Sequence, residues 1–190
     1  MAEPVTVRRL EPALLADFLA FFDGDAFADN PKWRFCYCQF LHVDHAQVRW
    51  SERSEALNRH AACARIPAGR MQGWLAYREG RVVGWCNAAP RPLYEALADE
   101  PEPEADRIGT IACFVVAKAQ RRSGVARALL NAACDGFRAQ GLAVAEAMPY
   151  EVASGEAENH HGPLAMYLAA GFQIHRRDDD GRAIVRRTLG

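Results

Sequence analysis

The chain has 190 residues, 50% hydrophobic and 25% charged, which fits one ordinary soluble domain, here residues 1–190, better than two domains or a disordered chain. Its 23 Lys and Arg against 24 Asp and Glu leave a net charge of −1, so no overall field selects nucleic acid or an anionic membrane as a partner. There are six Cys but no apolar signal core at the N-terminus and no run near the roughly 20 apolar residues of a membrane span, so reduced thiols in the cytoplasm are expected.

Val5, Val7 and Leu10 read as a short opening strand, and Leu14, Leu15, Phe18, Leu19 and Phe22 follow at helical spacing. Residues 23–45 are irregular and aromatic. Within them Cys36 and Cys38 alternate with Phe35, Tyr37 and Phe40 as a half-buried extended segment, a candidate wall for a pocket. Cys36, Cys38 and His42 fall short of the four ligands of a structural zinc site, and no metal is expected. A second helix is expected over 48–64.

Residues 73–77 and 82–88 read as two strands joined through Arg78, Glu79, Gly80 and Arg81, an antiparallel hairpin. The acidic, Pro-punctuated stretch after it, to about Arg107, is expected to be a surface excursion. Residues 108–116 form an apolar run of strand length, and after a polar connection Val125, Leu129, Leu130, Ala133, Cys134 and Phe137 mark a helix that stops at Gly141. A strand over 142–148, a short helix over 164–170, and a terminal hairpin around Asp178, Asp179, Asp180 and Gly181 complete the chain. The order β, α, α, β, β, β, α, β, α, β, β implies an α/β (α+β) fold, a mixed sheet with helices on its faces and a right-handed crossover in its middle βαβ unit.

The connection before the helix at Val125 carries the chemistry. Arg121, Arg122, Ser123, Gly124, Val125 and Ala126 put small residues where a helix begins, so unobstructed backbone amides and the positive end of the helix dipole make an anion site there. Arg121, Arg122 and Arg127 add charge suited to phosphate or pyrophosphate. The loop is neither a P-loop nor a Gly-x-Gly-x-x-Gly dinucleotide turn.

Arg121 to Ala126 fit the pattern Gln/Arg-x-x-Gly-x-Gly/Ala, and Tyr167, three residues, Gly171 and Phe172 fit a second motif downstream. In these two motifs the chain resembles the GCN5-related N-acetyltransferase (GNAT) superfamily. The resemblance implies a mostly antiparallel twisted sheet with helices on both faces, the acyl-CoA N-acyltransferase fold. It implies acetyl-CoA as cosubstrate, bound along Phe114, Val115 and Val116. Backbone groups of Phe114 and Val116 would then meet the acetyl carbonyl and the pantetheine amides, and the amides around Arg122, Ser123, Gly124, Val125 and Ala126 would hold the pyrophosphate. Asn159 resembles an Asn that often follows the fifth strand. Relatives are often dimers, so a homodimer is among the assemblies the resemblance allows.

Direct acetyl transfer needs a neutral amine, a polarised carbonyl and an acid for the departing thiolate. Tyr167 matches the family's acid. The strand before the loop has no carboxylate where some relatives carry Glu. Glu146 shares strand parity with Leu142, Val144 and Met148 and is the candidate base, while His160 and His161 suit proton transfer at pH 7. The acceptor is a small-molecule amine or a peptide amine; the acids over 95–106, with Glu151, Glu156 and Glu158, favour a cationic one if they face the slot. The competing reading is a non-catalytic acyl-CoA-binding or sensing domain.

Overall fold

The structure, a computed structural model, describes residues 3–152, 155 and 158–190. Seven strands form one sheet in the order β1-β2-β3-β4-β5-β7-β6, with β1 at Thr6–Arg9, β2 at Gly73–Arg78, β3 at Arg81–Pro90, β4 at Ile108–Val116, β5 at Val144–Ala147, β6 at Gln173–Arg177 and β7 at Ala183–Thr188. Every neighbouring pair is antiparallel except β4 and β5. Helices α1 (Leu15–Asp23) and α2 (Glu55–Arg65) lie between β1 and β2 in the chain, α3 (Val125–Ala139) joins β4 to β5, and α4 (Leu164–Ala169) joins β5 to β6.

Alternation along the strands divides the core between the two faces of the sheet. Ala76, Cys86 and Phe114 turn toward Val125, Leu129, Ala133 and Phe137 of α3 and toward Tyr167 of α4. Their neighbours Leu75, Tyr77, Trp85 and Val115 turn the other way, onto Phe18, Phe21 and Phe22 of α1. The hairpin between β2 and β3 is tighter than its sequence suggests. Both strands extend to Arg78 and Arg81, and Glu79 and Gly80 lie at φ +52° and +72°, the sign pattern of a type I′ turn.

Three expectations are corrected. The second helix begins at Glu55, because the Ser54 hydroxyl accepts the Leu57 amide at 3.2 Å and caps it there. The Cys36–Cys38 segment is not extended: Pro31–Cys36 and Phe40–His42 are 3-10 turns, with Tyr37 and Cys38 between them at φ +44° and +52°. The acidic stretch is more than a surface excursion. Tyr94 and Leu97 are buried with Ala112, Met148 and Ile184, and the Tyr94 hydroxyl donates to Asn87 Oδ1 (3.1 Å).

What draws that stretch inward is a chain of charges. Arg91, only 5% exposed, bonds Glu146 (2.8 Å) and Glu100 (2.9 Å), and Arg186 bonds Glu146 and Glu102 (both 2.6 Å). Glu146 on β5 is the central node, held by two guanidinium groups. Replacing Glu146 by Gln keeps the shape and removes the charge between them. Urea denaturation is expected to show a loss of about 3 kcal/mol, the low end for breaking a buried ion pair because Glu100 and Glu102 still neutralise the two Arg. An unchanged midpoint would mean that the network does not hold the 90–107 stretch.

Candidate active site

The site begins where β4 and β5 part. Their parallel pairing runs only from Ile108 with Val144 to Ile111 with Ala147. Beyond it β4 carries a bulge against β3, between Asn87 and Ala88, and β5 runs into Pro149, which has no amide to give a ladder. The chain after β5 stays with β7 instead, through Ala183 N to Pro149 O (2.8 Å) and the Tyr150–Arg182 bridge.

The rest of β4 therefore has a partner on one side only. Ala117 N donates to Val83 O (3.0 Å), which by alternation turns the amide and carbonyl of Val115 toward β3 and those of Phe114 and Val116 away from it. Phe114 and Val116 thus turn backbone groups toward the gap. Val115 does not: its backbone belongs to the β3 ladder and its side chain to the α1 core.

At the end of this edge the chain turns into α3. No side chain caps the helix, and its first internal bond runs from Ala128 N to Gly124 O, so the amides of Val125, Ala126 and Arg127 have no acceptor within the helix. Gly124 sits at φ +86°, and a Cβ built there would meet nothing within 4 Å, so the approach to those amides is open. Arg122 and Arg127 are exposed beside it. From the β2 end, Arg78 steadies the loop by donating to Gln120 Oε1 and to Ser123 Oγ (3.2 Å). This is an anion cradle at a helix N-terminus.

Arg121 has a different post. Its guanidinium grips Asp29 at 2.8 and 3.0 Å, and its Nε donates to Val116 O at 3.2 Å. The same guanidinium holds the Asp29 carboxyl below the usual range. Arg121 thus ties the segment after α1 to the end of β4, and nothing in the local sequence signals a partner 92 residues away.

The 3-10 turn Glu158–His161 and α4 stand across the gap. His161 Nδ1 lies 2.9 Å from Ala112 O. A carbonyl only accepts, so Nδ1 carries the hydrogen and Nε2 the lone pair. Burial, with His160 beside it, pushes the His161 pKa down to about 4, so the ring is neutral at pH 7. Its backbone carbonyl accepts the Tyr167 hydroxyl at 2.6 Å. Tyr167 is fully buried against Phe114 and Phe172, and desolvation raises its pKa, so it holds its proton at neutral pH. Trp33, from the α1–α2 connection, meets the His160 ring at 4.9 Å and closes this corner.

Of the two candidate catalytic side chains, Tyr167 is fully buried beside Phe114, and Glu146 is corrected. Glu146 does face an enclosed side of the sheet, as its parity implies, but both its oxygens are taken by Arg91 and Arg186. A buried carboxylate held as an anion between two guanidinium groups is a structural ion pair rather than a base poised to take a proton. Asn159 is exposed in the turn ahead of His161, its carbonyl accepting the Gly162 amide at 2.8 Å. The acids that would select a cationic amine are largely matched within the chain: Glu95 by Arg65 and Arg70, Glu100 by Arg91, Glu102 by Arg186, Glu104 by Arg107, Glu151 by Arg177. Glu156 lies outside the described residues. His42 is buried with Nε2 against the Asn87 amide (3.3 Å), and burial lowers its pKa to about 4.

The family model described as Acetyltransferase (GNAT) family matches residues 33–172. Among solved structures, an N-acetyltransferase from Staphylococcus aureus is 16% identical, covers 99% of this chain and 100% of its own, and superposes with a TM-score of 0.61. A putative acetyltransferase from Salmonella typhimurium, solved with its cofactor acetyl-CoA, is 15% identical over 99% of this chain and 95% of its own, with a TM-score of 0.56. A ribosomal-protein-alanine N-acetyltransferase from Brucella melitensis is 19% identical over 96% and 99%, with a TM-score of 0.57. No curated protein matches the chain. No helix among the described residues is long and apolar enough to cross a membrane.

Two neutral imidazoles, one buried at His42 and one half-buried at His161, set a pH window for stability. Each is held neutral, with a pKa near 4 when folded against 6.5 for an ordinary His, so between these values the unfolded chain binds protons that the folded one does not. Stability should be highest above pH 6.5 and fall steadily as the pH drops toward 4, with the imidazoles alone responsible down to about pH 5, where the carboxylates begin to contribute. Urea titrations across this window should show that decline, reduced by about half in the His42→Gln variant. A flat profile would contradict the burial of neutral imidazoles.

Proposed function

The chain belongs to the acetyltransferase (GNAT) family, and on that premise we propose that it transfers an acetyl group from acetyl-CoA directly to the primary amine of a small molecule or peptide. The observation that carries this reading is the continuity of two surfaces: the edge of β4 that has no strand partner beyond β3, at Phe114 and the Val116 amide, leads straight to the uncapped N-terminus of α3. A ligand with amides along its arm and a pyrophosphate at its far end matches that order of groups. The open space at Gly124 admits the phosphates to the amides of Val125, Ala126 and Arg127, with Arg122 and Arg127 as counter-charges.

Acetyl-CoA, when bound, supplies an acetyl group activated as a thioester. The protein's part is orientation and proton handling. The backbone at Phe114 orients the acyl end, since its amide has no partner on β3. Tyr167 Oη holds a proton close to the gap, and the raised pKa of a buried phenol keeps it there until a thiolate, a far stronger base than the Tyr's present acceptor, takes it. We assign the role of taking hydrogen from the acceptor nitrogen to His161 Nε2, the ring nitrogen not engaged with Ala112 O.

A base with a pKa near 4 does not strip an ammonium ion. The acceptor must therefore arrive as the free amine and lose its proton as the C–N bond forms. It follows that kcat/KM should climb with pH toward the pKa of the acceptor rather than level off in the range of an ordinary His.

The test is thiol release from acetyl-CoA against a panel of small amines and peptide amines. Tyr167→Phe and His161→Gln, the latter keeping a donor for Ala112 O but no base, should each lower kcat about 100-fold, the low end for a general acid or base. Both should leave acetyl-CoA affinity, read by calorimetry, within about twofold of the wild type, a factor of two being only about 0.4 kcal/mol. Binding of acetyl-CoA without thiol release to any amine would replace this reading with that of an acyl-CoA-binding or sensing domain.

A further inference from the structure

One feature of β4 has no part in acetyl transfer. Cys113 Sγ lies 2.9 Å from Cys38 Sγ, across 75 residues of chain. Unbonded atoms of that size rest farther apart, and the gap exceeds a disulfide bond by only about 0.9 Å. All six cysteines are free thiols.

The two thiols differ in exposure. Cys38 is buried, and desolvation together with the neighbouring Cys113 raises its pKa far above that of an ordinary thiol. Cys113 is partly exposed, on the strand whose next residue, Phe114, borders the gap. The buried partner cannot drift off. Its carbonyl accepts the Asn87 amide at 3.2 Å, and the following Gln39 is fixed by Arg65 at 3.0 Å.

We propose that Cys38 and Cys113 are a redox pair, converted by a peroxide to a disulfide that fastens the α1–α2 connection to β4. The Cys113 sulfur attacks one peroxide oxygen, the O–O bond breaks, and water leaves with a sulfenic acid on Cys113. The Cys38 sulfur then attacks the Cys113 sulfur, the S–O bond breaks, and a second water leaves as the S–S bond forms. Two thiols are oxidised by two electrons and one peroxide is reduced to two waters. Cys36 is the competing partner: it lies on the same connection, and burial with Cys113 nearby pushes its thiol to about 12. Of these two, Cys38 is the one whose sulfur is in contact with Cys113 among the described residues.

The inference is independent of the acetyl-transfer reading and is tested on the full chain with hydrogen peroxide as the probe. One equivalent of hydrogen peroxide should lower the intact mass by two hydrogens. A digest without reductant should join the peptide 35–49 to the peptide 108–118, and dithiothreitol should reverse both changes. Cys36→Ser should form the link as readily as the wild type. Cys38→Ser should abolish it and leave Cys113 to gain oxygen. A link that survives Cys38→Ser, or a wild type that gains oxygen while Cys38 stays open to alkylation, would overturn the pairing.

Discussion

Everything in this molecule depends on the early end of the β4–β5 ladder. Four paired positions, Ile108 to Ile111 with Val144 to Ala147, make the sheet continuous; then a bulge on one strand and Pro149 after the other stop it. Backbone polar groups cannot be left unpaired inside a protein without cost, so a strand that loses a neighbour in mid-sheet must find other partners. In this structure two of them are side chains of the chain itself: His161 on the carbonyl of Ala112 and Arg121 on the carbonyl of Val116. Between them the backbone of Phe114 faces the gap. The same divergence lets α4 bring Tyr167 against Phe114, so the opening in the sheet and the proton-bearing side chain have one origin.

The two faces of the sheet divide the work. On one, α3 packs through Val125, Leu129 and Phe137 and points its uncapped end at the close of β4. On the other, α1, α2 and the connection between them rest on Trp85 and Val115, with Asp29 reaching Arg121 and Cys38 reaching Cys113. Both contacts run from that connection to β4 or to the loop just after it. The strand that borders the gap is thereby fixed from the face opposite α3, and the position of the α1–α2 connection is coupled to it.

Much of this is legible in the sequence, and the failures share a cause. The strand at Ile108–Val116 and the helix after it are carried by local pattern, a continuous apolar run followed by helical spacing that breaks at Gly141. The small residues around Gly124 announce the open helix end in the same local way. Glu146 shows the limit: strand parity correctly turns it to an enclosed side, but what encloses it are guanidinium groups 55 and 40 residues away. Composition likewise presents the 90–107 stretch as a solvated acidic loop, whereas the ion pairs Arg91–Glu146 and Glu102–Arg186 fold it onto the sheet. His161 has no periodic signal at all. Its position follows from the bulge at Ala112 and the direction of the chain after Pro149, which are tertiary facts.

The central claim is that the unpaired edge of β4 and the N-terminus of α3 form one continuous binding surface. Amide hydrogen exchange, followed residue by residue with and without acetyl-CoA, addresses it most directly. The account predicts slowed exchange at Phe114, at Val116 and over 124–127, with the β1–β2 ladder unchanged. Protection confined to the α3 end, or found elsewhere with β4 unaffected, would contradict it.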